Sequence, residues 1–100
     1  MVDPQYDGGA PADAGTSPRL YAVYLGGDPA PGRLGEDHEV VFVVAGDGVA
    51  AKAAAKVKWS GAGRGHVDAV VRVDAVDGYE VSLEPTGGPP GDRTALDSYN

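Results

Sequence analysis

The sequence predicts an α+β domain, ββαββ in chain order: a four-stranded antiparallel sheet with one helix packed on one face. Three observations carry this. Two short runs, RLYAVYL (residues 19–25) and HEVVFVVA (residues 38–45), are apolar on both parities, as strands buried on both faces are. One alanine-rich segment, GVAAKAAAKVKW, follows an aspartate and ends in Ser-Gly-Ala-Gly. Two alternating segments flank an Asp-Gly dipeptide, a strong hairpin signal.

The first strand stops at Gly26-Gly27, and the Gly- and Pro-rich stretch GGDPAPGRLGED leads to the second. That second strand, the most apolar run in the chain, is placed beside the first in the sheet interior. Asp47 is positioned as an N-cap for a helix from residue 48 to about residue 59. Ala50, Ala53, Ala54 and Val57 fall on one side of it at helical spacing, with Lys52 and Lys56 off that side. Lysines near the C-terminal end also suit the helix dipole. Trp59 reads as a core plug over the sheet edge. In residues 66–75, Val67, Ala69, Val71 and Val73 face one way; Asp68, Arg72 and Asp74 face the other, with Val70. After Asp77-Gly78, Tyr79, Val81 and Leu83 alternate with Glu80, Ser82 and Glu84. The last two strands thus form a hairpin with one wet face. A single helix cannot cover both faces of such a sheet. The second face needs either the C-terminal residues around Leu96 and Tyr99 or a second subunit, so a homodimer is expected.

Composition sets the limits. Residues 1–18, rich in Gly, Pro, Asp and Ala, read as a disordered tail; residues 19–84 form the ββαββ domain; residues 85–100, opening on PTGGPPGD, read as a flexible C-terminal segment. A folded part of this size buries only about 60% of its chain surface, which also favours oligomerisation. The net charge of −7 repels phosphate backbones and argues against a nucleic-acid partner. The chain has no cysteine, so disulfides, thiolate metal sites and a cysteine nucleophile are excluded. The N-terminus is acidic and polar, and no apolar run approaches a membrane span; the expected location is cytoplasmic, without a membrane partner.

Several stretches together carry a resemblance: YAVYLGG, PGRLGEDHEVVFVVA, the helix ending in KVKW, and HVDAVVRVDAVDGYEVSL. The most distinctive residues are Tyr24-Leu25-Gly26-Gly27, Glu36, His38, Trp59, His66-Val67-Asp68 and Asp77-Gly78-Tyr79. Over residues 21–83 the chain resembles the DUF1543 family of small, uncharacterised bacterial and archaeal domains. The resemblance implies the limits of the fold and no activity.

Two places could carry chemistry. Glu36, Asp37, His38 and Glu39 enter the second strand, and His66 and Asp68 open the third. Imidazole and carboxylate suit Zn²⁺, Mn²⁺ or Fe²⁺. The two histidines converge if the strands that they begin run parallel, and diverge to opposite ends if these are antiparallel neighbours. A separation of their nitrogens beyond about 8 Å excludes shared ligation. The simpler account is a polar cap, each histidine bonded to a backbone carbonyl. Arg33, in the glycine-rich loop, could hold an anion with neighbouring backbone N–H groups, although neither a P-loop nor a dinucleotide fingerprint is present. No Ser-His-Asp constellation can be drawn, so no catalytic residue is assigned, and no cofactor is called for. The expectation is a small, non-enzymatic protein-interaction or assembly module, with another protein or a second copy as partner. The alternative is a metal- or anion-binding domain around His38, His66 and Arg33, with Glu36 and Asp68 as further ligands.

Overall fold

The computed structural model describes residues 17–29, 31–32 and 34–97. It is α+β, with elements in the order β1 (Arg19–Gly27), β2 (Asp37–Ala45), α1 (Gly48–Val57), β3 (Gly65–Arg72), β4 (Ala75–Val76) and β5 (Tyr79–Glu80). In place of one four-stranded sheet there are two: a three-stranded sheet ordered β2-β1-β3 and a two-stranded ribbon, β4-β5. Both neighbours of β1 run antiparallel to it. Hence β2 and β3 are parallel to each other, and α1 carries the chain over β1 from one edge strand to the other.

The ribbon separates for a local reason. The Val73 N–H still donates to the Leu20 carbonyl of β1, whereas the carbonyl of the next residue, Asp74, accepts from the Val81 N–H. The Asp77-Gly78 turn forms as expected, with φ of 54° and 83° at its two residues. That is the left-handed pair that a two-residue hairpin loop requires. Strand pairing beyond it covers only Ala75–Val76 with Tyr79–Glu80.

The core lies between the sheet and α1. Tyr21, Val23 and Leu25 of β1, Val43 of β2, and Ala51 and Ala55 of α1 are buried. Val41, Ala54, Val67, Val70 and Trp59 pack around them. The central and best buried strand is therefore β1, and β2 is an edge strand. Its apolar residues on the second parity, Val40, Phe42 and Val44, are about half exposed. The helix presents Ala51, Ala54 and Ala55 to the sheet, one step round from the expected side, and leaves Val57 in solvent. A stripe made almost wholly of alanine gives a weak phase, and the single larger residue, Val57, misplaces it. Asp47 caps the helix as expected, its Oδ1 accepting the Ala50 N–H at 2.8 Å.

A bulge corrects the alternation read into β3. Leu25 pairs with Val67 and Tyr24 with Ala69, so Asp68 is the extra residue. Beyond it the parity flips. Val67 and Val70 both pack on the core, while Ala69 is exposed on the other side.

Candidate functional site

The sheet topology decides where the histidines lie. Gly26, near the end of the central strand, pairs with His38 on one side and with His66 on the other. Cross-strand partners share a face. Both imidazoles therefore stand on the sheet face opposite α1, flanking a residue without a side chain. His66 and Asp68 lie two apart on β3 and point the same way, and the bulge at Asp68 bends the strand at this point.

The resulting geometry is a saddle. A Cβ placed on Gly26 would stand 3.0 Å from His38 Nδ1, 3.1 Å from His66 Nε2 and 3.1 Å from Asp68 Oδ2. Three donor atoms thus surround one point at nearly equal distance. His66 Nε2 lies 3.1 Å from Asp68 Oδ1, and His38 Nδ1 lies 3.8 Å from Asp68 Oδ2. Glu36 joins from the loop before β2: its Oε1 is 3.8 Å from His38 Nε2 and 3.9 Å from His66 Nε2. Among the described residues the partners of both rings are these carboxylates, not the backbone carbonyls of the simpler expectation. All four side chains are 44 to 63% exposed. Among the described residues, no group of three or more His, Asp or Glu is placed so that it could hold a metal ion.

Four of the expected site residues are thus brought together: Glu36, His38, His66 and Asp68. Arg33 lies outside the described residues. Glu39 turns to the helix side instead. Its Oε1 accepts from Ser60 Oγ at 2.5 Å, and its Oε2 accepts the Ser60 N–H at 3.3 Å, tying β2 to the segment after α1. The sequence reading missed Gly26, taken only as a strand stop. A glycine ending a buried apolar run also signals close approach by neighbours, and that signal could have found it.

Trp59 fixes the same end of the sheet from below. Its indole lies against Gly27, Gly61 and Gly65, and its Nε1–H donates to the Ala62 carbonyl at 3.3 Å. Gly27 and Gly65 are cross-strand partners, so the tryptophan covers the strand ends one residue beyond the saddle.

The saddle continues into an apolar surface. A shallow groove of about 390 Å³ runs from His38 and Asp68 between Tyr24, Val40 and Ala69. Beyond it lie Phe42, Val44 and Val71, all about half exposed. Among the described residues, the C-terminal segment meets this face at its far end, where Asp92, Arg93 and Thr94 share a cleft with Leu20, Phe42 and Val44. Lys58 Nζ holds it there, donating to the Phe42 carbonyl at 2.6 Å and to Asp92 Oδ1 at 3.0 Å. Leu96 points into solvent, and Tyr99 lies outside the described residues.

A family model described as Domain of Unknown Function (DUF1543) matches residues 33–83. The match spans half of the chain, from the loop before β2 through the β4-β5 ribbon and just past it, and the chain belongs to that family. It includes Glu36, His38, His66 and Asp68. No curated protein and no solved structure matches. No helix among the described residues is long and apolar enough to cross a membrane.

Proposed function

We propose that the domain is a non-enzymatic assembly module that pairs with a second copy of itself through the open face of its three-stranded sheet. The observation carrying this is the row of large apolar side chains on that face. Tyr24, Val40, Phe42, Val44 and Val71 are 46 to 56% exposed on one side of a single sheet. Scattered apolar residues need no explanation, but a contiguous set on a regular, flat element marks a contact surface. The face is self-complementary in kind, which suits a two-fold dimer.

Its size sets the strength. Three strands of eight or nine residues side by side span roughly 30 by 15 Å, or about 450 Å². A standard interface takes about 800 Å² from each partner. Pairing through this face is therefore weak and concentration-dependent. Sedimentation over a range of concentrations tests it. A monomer–dimer equilibrium that Phe42→Asp abolishes is expected; a monomer at every concentration contradicts it.

The polar end of the face bears on the second expectation, a metal or an anion. The side chains around the two histidines are the carboxylates of Glu36 and Asp68. Their charge opposes an anion and suits a cation.

A further inference from the structure

We infer that residues 92–94 are a strap that regulates self-pairing: latched by Lys58, they occupy one end of the surface on which a second copy docks. The inference rests on the face-to-face pairing proposed above and names what limits it.

The latch follows from the pairing order. Leu20 gives its carbonyl to Val73, on the β3 side. Backbone groups alternate along a strand, so Ala22 also turns toward β3. Its partner on the other flank, Phe42, then directs its carbonyl outward from the β2 edge. Lys58, the C-cap of α1, meets it there: Nζ donates to the Phe42 carbonyl at 2.6 Å. The same ammonium donates to Asp92 Oδ1 at 3.0 Å and to Oδ2 at 3.2 Å. One lysine thus caps the sheet edge and holds the C-terminal segment against it.

The overlap is direct. Leu20 pairs with Val44 and Ala22 with Phe42, on the parity opposite to the core residues Tyr21, Val23 and Val43. Leu20, Phe42 and Val44 therefore stand on the open face, and with Asp92, Arg93 and Thr94 they line one cleft of about 290 Å³. Phe42 and Val44 are also two of the five residues of the pairing surface. Packed sheets lie about 10 Å apart, a gap that the side chains of the two faces fill. The strap must therefore leave before a second copy can seat. With the strap in place, Phe42 and Val44 are still 56% and 55% exposed. It obstructs the surface without burying it, and most of the apolar gain is left to the second copy.

The latch is easily opened. The Lys58 side chain is 34% exposed and that of Asp92 68%, and ion pairs of such exposure are weak and screened by salt. Each latch shifts its own strap by up to about fivefold, and a two-fold pair has two straps to release.

The test compares the full chain with Asp92→Asn and Lys58→Met by sedimentation over a range of concentrations. The two substitutions move the net charge of −7 in opposite directions, yet both open the latch. Both should lower the dimer dissociation constant by at least about threefold. In samples dilute enough to be monomeric, amide ¹⁵N relaxation should show residues 93–97 more mobile in both variants than in the parent. Circular dichroism should match the parent, since both side chains lie outside the core. Dimers of equal or weaker affinity in the variants overturn the strap and leave face pairing standing. Tighter pairing in only one variant is an effect of charge or of the single side chain, and it overturns the strap too, as does unchanged relaxation. No pairing in the parent or in either variant overturns the face-pairing reading, and the strap falls with it.

Discussion

Gly65 and Gly27 face each other across β3 and β1, and the indole of Trp59 occupies the space that side chains there would need. A Cβ at Gly65 would come within 2.7 Å of the ring, and one at Gly27 within 2.7 Å as well. Such a contact cannot be relieved by a small shift, because the ring rests on backbone on both sides. Gly65→Ala should therefore destabilise the fold by about 1–3 kcal/mol, as overpacking does, read as a lower denaturant midpoint. An unchanged midpoint would show that the indole is free to move. At this scale the sequence was partly legible. The residue types at His38, His66, Glu36 and Asp68 announced donor chemistry, and Trp59 announced a plug. What the spacing could not show was Gly26 as the shared neighbour of both histidines, since that depends on which strand lies between them.

Helix α1 shows what one polar group contributes to an element. Asp47 Oδ1 satisfies an N–H that the first turn leaves without a partner. Asp47→Ala should cost about 1 kcal/mol, and Asp47→Ser very little, measured by chemical denaturation. On the sheet side, Leu25 is 1% exposed and sits at the centre of the core. Leu25→Ala should cost about 2–5 kcal/mol, close to the whole stability of so small a domain, and thermal melting would show it. Element positions were readable from pattern: the strands at β1 and β2, the start of the helix with its cap, and the Asp-Gly turn lie where the sequence put them, whereas β3 ends at Arg72, short of the expected residue 75. Strand rank was not. β2 carries more valine than β1, yet β1 is the buried strand, because hydrophobicity reports capacity for burial and pairing order decides its use. The bulge at Asp68 was invisible for a related reason. One inserted residue leaves the alternating pattern intact on either side and merely changes which face it describes.

Taken together, the described residues form one helix on one face of a small sheet, with a second face that has a polar end and an apolar middle. Reading both first strands as apolar on both parities implied a second apolar face in need of cover, and among the described residues Tyr24, Val40, Phe42 and Val44 on that face are about half exposed. The expected fourth strand would have widened it; instead the chain breaks at Val73 and the surface stays narrow. Electrostatics add a sign. Two copies of a chain with net charge −7 repel each other, so self-association should strengthen as added salt screens them. Sedimentation in low and high salt checks this, and association that weakens with salt would point to charged contacts in place of apolar ones. The open face is the centre of this account, and a dilution series followed by amide chemical shifts tests it most directly. The account predicts concentration-dependent shifts at Tyr24, Val40, Phe42, Val44 and Val71, with the helix side unchanged; shifts confined to α1 or to the β4-β5 ribbon, or none at all, would contradict it.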